Sequence, residues 1–193
     1  MDYFSSDKLI EPSRGDLLIS EPYLPDPNFE RTVVLICEHD ENGTFGYVIN
    51  KKAQVKLADV MDEVDEGFQA DLFIGGPVQK DSLHFVHKTK GLCSTEVEIG
   101  RDVFWAGAFE EILSKINTRS VEPEELKFFL GYSGWSPGQL LEELEQKSWI
   151  VYKGLDPKWI FSTPTEILWQ EVLKKMGGKY KAIAGYPIDP RLN

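Results

Sequence analysis

"RTVVLICEHDENGTFGYVINK", Arg31–Lys51, decides how this chain folds. Its first half is a near-continuous apolar run rich in β-branched residues, the pattern of a central strand covered on both faces. Asp40-Glu41-Asn42-Gly43 supplies turn chemistry and Thr44–Lys51 returns, so the two segments are expected to pair as a hairpin through a loop of about four or five residues. Upstream, "GDLLIS" reads as a first strand, joined to the hairpin by the proline-rich loop "EPYLPDPNFE".

Downstream, Leu57, Val60, Met61 and Val64 follow the spacing of a short amphipathic helix. "DLFIGGPV" is a strand ending in a glycine-proline turn, "SLHFVHK" alternates like a strand, and "STEVEIG" is expected to pair with it. "VFWAG" runs into a helix that puts Phe109, Ile112, Leu113 and Ile116 on one face. "ELKFFLGY" and "SWIVYK" are strands, and "KYKAIAG" reads as a final one. Hairpins in the first half and strand-helix-strand order in the second predict one α/β (α+β) domain with a mixed, mostly antiparallel sheet and flanking helices.

Between two of those strands, "LGYSGWSPGQLLEELEQKSW" places Ser133 between glycines. A nucleophile elbow needs glycine two residues to either side of the serine. Gly131 meets that rule, but Trp135 stands at the second position. No glycine-lysine-serine/threonine run follows to make a phosphate loop. A helix start accounts for the same residues: Ser136 as N-cap, Pro137 at the first helical position, Gln139 completing a capping box, and Trp135 packing on Leu140. The helix should bury Leu140, Leu141 and Leu144 and pair Glu143 with Lys147. A last helix is expected to start with Thr163 as cap, Pro164 at the first helical position and Glu166 closing a capping box, and to end at Gly177-Gly178.

With 193 residues the chain is long enough to bury about 70% of its unfolded surface as one domain. Cys37 and Cys93 lie far apart without CxxC spacing, as reduced thiols in a cytosolic protein do. "MDYFSSDKLIEPSRGDLLIS" has no basic region leading into an apolar core, and no run approaches the length that spans a bilayer. A cytoplasmic location is expected. The formal charge of −11 opposes direct contact with phosphate backbones and with anionic membranes.

Few residues name chemistry. His39 ends a buried strand amid Glu38, Asp40 and Glu41, where a carboxylate could fix its tautomer. His84 and His87, three apart on a strand, point to opposite faces and cannot chelate one ion. Gly75, Gly76 and Pro77 stand at a strand end, where exposed N–H groups can cradle an anion. Arg31 beside a buried strand should seek a carboxylate, with Asp26 or Glu38 as suppliers. The five tryptophans read as core anchors rather than a stacking platform. Neither a metal set, nor a cofactor motif, nor a catalytic residue is identified.

Taken in order, "GDLLISEPYLPDPNFERTVVLICEHDENGTFGYVINK", "LFIGGPVQKDSLHFVHK" and "GYSGWSPGQLLEELEQKSWIV" resemble the YqgE/AlgH family of bacterial proteins. The matching positions include Gly15, Asp26, Phe29, Arg31, His39, Gly43, Gly46, Asn50, Gly75-Gly76-Pro77, Gly131, Trp135, Gly138, Gln139, Leu140 and Trp149. Lys52 departs from the proline common there, and Ala106-Gly107 from a glycine pair. The resemblance implies a bifurcated, pseudo-barrel-type sheet with flanking helices and brings no catalytic residues; one branch carries the label of transcriptional regulator. The leading expectation is a non-catalytic module binding a protein or small molecule through Asp26, Phe29, Arg31, Glu38, His39, Asn50, Gly75, Gly76 and Pro77. The rivals are a hydrolase or transferase using His39 with Glu38 or Asp26, and a direct DNA-binding regulator, which the charge disfavours.

Overall fold

The structure, a computed structural model, describes residues 9–188. Its elements run β1 (Leu17–Ser20), β2 (Val33–Asp40), β3 (Gly43–Val48), β4 (Lys52–Lys56), β5 (Asp71–Ile74), β6 (Val78–His87), β7 (Val97–Gly100), β8 (Val103–Trp105) and α1 (Phe109–Asn117). They continue with β9 (Leu126–Trp135), α2 (Gln139–Glu145), β10 (Trp149–Tyr152), α3 (Pro157–Phe161), α4 (Thr165–Met176) and α5 (Gly178–Ile183).

One mixed sheet carries the fold, in the order β10-β1-β2-β3-β9-β6-β8-β7, with β4 reaching it through β5. It does not close into a barrel. Strand β9 is where the sheet forks. One of its edges pairs antiparallel with β6; on the other, β5 runs parallel beside Phe128–Leu130 and β3 takes over antiparallel beside Ser133–Trp135.

The apolar run of β2 is covered on both sides, as its composition requires. Val33, Leu35 and Cys37 join a core closed by Trp159, Ile160, Leu168, Trp169, Val172 and Leu173 from α3 and α4. Val34 and Ile36 face the other way, onto Leu140 and Leu144 of α2 and the rings of Trp135 and Trp149. A third cluster packs Ile112 and Ile116 of α1 on Leu72, Leu126 and Phe128. Each such side chain, fully buried, contributes about 1.5–3 kcal/mol of transfer free energy.

Several local expectations change. The β2–β3 loop has only Glu41 and Asn42, because Asp40 pairs with Gly43 and the Asp40 Oδ1 accepts from the Asn42 N–H at 2.7 Å. In place of a helix over 57–64 there is one 3-10 turn, Leu57–Asp59; Leu57 and Val64 reach the core while Val60 stays exposed. The stretch before it forms strand β4, which no periodicity announced. Val97–Gly100 pairs with β8 rather than β6, since β8 sets Phe104 and Trp105 against His87 and Val86.

Near the C-terminus, residues 178–183 are helical, not extended. Tyr180, Ile183 and Ala184, at i, i+3 and i+4, all pack on the core, a spacing that the alternation of "KYKAIAG" conceals. The start of α2 also moves, to Gln139 behind a left-handed Gly138 (φ +81°). Gln139 Oε1 still accepts the Ser136 N–H at 3.0 Å, which is half of the expected box. Leu141 points to solvent, and Glu143 reaches the tryptophans: its Oε2 accepts from Nε1 of Trp135 at 2.9 Å and of Trp149 at 2.7 Å. Helix α4 starts at Thr165 after Pro164, while the Thr163 hydroxyl donates to the Lys158 carbonyl and closes α3 instead. Its end at Gly177 is as the sequence indicates.

Candidate functional site

The fork in the sheet explains the glycines. A Cβ on Gly75 would lie 2.4 Å from the Gly131 carbonyl oxygen, and one on Gly76 only 2.2 Å from the carbonyl carbon and oxygen of Tyr132. Three backbones meet here too closely for side chains. Gly75 donates its N–H to Leu130 O and accepts from Val48 N, both at 2.8 Å, so its polar groups are engaged. Ser133, fully buried, donates its hydroxyl to the same Gly75 carbonyl at 3.0 Å. This serine clips β9 to the end of β5.

Asp26, Phe29, Arg31 and Asn50 gather around the start of β2. Asp26 Oδ1 accepts from the backbone and side-chain N–H groups of Asn28 at 2.8 and 2.9 Å. Phe29 packs edge-on to Trp149, with centroids 5.3 Å apart, and against Trp135. The Asn50 amide bridges strand ends, accepting from Val33 N at 2.8 Å and donating to Arg31 O at 2.9 Å. Arg31 donates through Nη2 to the carbonyls of Tyr186 and Pro187 at 2.7 and 2.5 Å and lies over the Trp169 ring. Lys51 ties the same loop down, donating to the carbonyls of Pro27 and Asn28.

Gly75-Gly76-Pro77 adjoins this group through Val48. Glu38 and His39 do not: they sit at the hairpin end of β2, Glu38 exposed and His39 half-buried, its Nδ1 2.7 Å from the Thr44 hydroxyl. His84 and His87 take opposite faces of β6, His84 beside Tyr47 and His87 buried against Phe104. Burial pushes the pKa of both rings down.

Unlike these residues, Lys127 occupies a place where chemistry is possible. It lies on β9 between Leu126 and Phe128, with only 6% of its surface exposed. Helix α3 crosses this end of the strand, and the Nζ donates to the Ile160 carbonyl at 2.9 Å while standing 3.9 Å from the centroid of the Phe73 ring. It floors an open cleft of about 180 Å³ walled by Gln69, Asp71, Phe73, Pro123, Glu124 and Phe161. Burial pushes the amine's pKa down to about 7, against a smaller upward pull from Asp71. Burial would raise the Asp71 carboxyl, but Lys52 and Lys56, at 2.7 and 2.6 Å, outweigh it and hold the pKa below the usual range.

An ammonium at this place is costly. It has three N–H donors, and the described residues offer one oxygen acceptor and one ring face. Charged, it is poised to take an acceptor from a ligand; neutral, it is a nucleophile. The sequence hid it: "ELKFFLGY" reads as an apolar strand, and the one signal was a lone lysine inside that run.

An open, forked, mixed sheet clad by helices, with a lysine-floored cleft at one end of its central strand, defines the class of α/β protein. The AlgH-like family profile (DUF179) matches residues 17–181, and the chain belongs to that family. A UPF0301 protein of Cytophaga hutchinsonii is 44% identical over 182 residues, 94% of this chain and 99% of that one. One from Chlorobium limicola is 37% identical over 179 residues, 93% and 95% of the two chains. The solution structure of the AlgH protein from Pseudomonas aeruginosa superposes with a TM-score of 0.73 at 28% identity, covering 97% of this chain and 98% of that one. A crystal structure from Corynebacterium diphtheriae shares the fold, with a TM-score of 0.75 at 24% identity over 93% and 95% of the chains. Among the described residues, no helix is long and apolar enough to cross a membrane.

Proposed function

We propose that this chain is a non-catalytic, cytoplasmic ligand-binding module of regulatory type, and that its ligand enters the cleft over Lys127. The observation that carries this reading is a nearly buried lysine that lines an open cleft and whose amine has one oxygen partner among the described residues. A ligand acceptor at this point offsets part of the cost of burying the amine, so binding and stability are linked. The cleft is smaller than the roughly 300–1,000 Å³ of drug-sized sites, which favours a ligand of few atoms. Any effect on transcription would pass through a protein partner, since the charge of −11 opposes direct DNA contact.

The test is an NMR titration of the 15N-labelled protein with small polar fragments, propanamide among them. Shifts should concentrate on Phe73, Glu124–Phe128 and Ile160–Phe161 and weaken in Lys127→Met. If those amides stay still at saturating fragment, or if shifts gather elsewhere, the cleft is not the site.

A further inference from the structure

Two electron-rich groups stand against the Lys127 amine: the Ile160 carbonyl oxygen at 2.9 Å and the face of the Phe73 ring, its centroid 3.9 Å away. A neutral amine has two N–H bonds and one lone pair. Given two acceptors, its N–H bonds turn toward them, one as an ordinary hydrogen bond and one onto the ring face. The lone pair is then directed away from both. Lys127 lines the cleft together with both of these partners, Phe73 and Ile160, which places its amine among the cleft's own walls. The surroundings favour the neutral form, since burial lowers the amine's proton affinity and Asp71 only partly restores it.

The walls narrow the class of electrophile. Asp71 and Glu124 are both acidic, and Asp71 is already neutralised by Lys52 and Lys56. A second anion would have to displace those pairs or face Glu124 uncompensated. An uncharged molecule with a polarised carbon meets neither obstacle.

We infer that Lys127 captures small uncharged aldehydes or ketones as a reversible imine, a deeper form of the cleft-binding reading on which it rests. The nitrogen lone pair forms a C–N bond to the carbonyl carbon as the C=O π bond breaks, and a proton moves from nitrogen to oxygen to give the carbinolamine. The nitrogen then expels the hydroxyl, which leaves as water with the second amine proton, and C=N remains. No oxidant or reductant enters, and hydrolysis reverses the step.

The experiment incubates the whole protein with propanal and cyanoborohydride at pH 7 and locates the propyl groups by peptide mass spectrometry, with the exposed lysines as internal standards. Imine capture predicts that Lys127 is alkylated about tenfold or more faster than any exposed lysine, because its free-amine fraction is larger by orders of magnitude. Lys127→Met should lose that fast phase and keep the slow surface labelling. If propanamide perturbs the cleft amides but propanal labels Lys127 no faster than exposed lysines, imine capture is wrong and the cleft-binding reading stands. If neither compound reaches the cleft, both fall. The internal standards keep the comparison valid in the wild-type protein even if the variant folds poorly.

Discussion

The two ends of strand β9 solve opposite problems. At Gly131–Trp135 the strand meets β3, β5 and β6 within a few residues, and everything there is committed: glycines for clearance, the Ser133 hydroxyl on Gly75, the indole of Trp135 on Glu143. At Leu126–Phe128 the same strand passes under α3 and leaves a lysine with one oxygen partner beside an open cleft. The end richest in recognisable sequence features is architecture. The end that reads as an apolar strand with a single lysine in it holds a strongly perturbed amine, because its environment comes from residues distant in the chain.

That contrast can be broken first at the fork. Gly76→Ala forces a Cβ to within 2.2 Å of the Tyr132 carbonyl, where backbone rather than a flexible side chain must yield. We expect a loss of about 3 kcal/mol or more, or no folded protein, measured by denaturant unfolding. A mild effect would mean that the fork is plastic.

At the other end, the sharper test is pH. The folded-state pKa of Lys127, about 7, lies below the unfolded value, so between about pH 7 and 10 the unfolded chain binds the additional proton. The cost of burying the cation is fully present below that window and disappears as pH rises through it. Wild-type stability should therefore gain a few kcal/mol relative to Lys127→Met between pH 7 and 10. Parallel stability curves for the two proteins would remove the perturbed amine from the account.

Smaller effects sharpen the architectural side. Glu143→Ala strands two indole N–H groups and should cost about 1–3 kcal/mol with a change in tryptophan fluorescence. Ser133→Ala removes one buried hydrogen bond, for about 1 kcal/mol, and should leave fragment shifts in the cleft unchanged. Loss of cleft binding in Ser133→Ala would instead join the two ends into one site.

Much of this was legible in the chain. The β2–β3 pair is readable because a strand buried on both faces must be apolar throughout, and residues 33–37 are. The end of α4 is readable because glycine follows the last turn. Other elements differ from their sequence signals for physical causes: residues 178–183 satisfy the spacing of strand and helix alike, and Gly138 delays a helix that Ser136 and Pro137 signal. The fork glycines were visible, but their role depends on three backbones converging, which no local pattern encodes. Lys127 was least legible, since its burial depends on Phe73 and Ile160, neither of them near it in sequence.

The most direct measurement is the titration of Lys127 itself, following its side-chain 13Cε and 15Nζ resonances by NMR in the intact protein. A midpoint near pH 7 is the expected result. A midpoint near 10, that of a solvated lysine, would contradict the claim that this cleft holds an amine able to shed its charge.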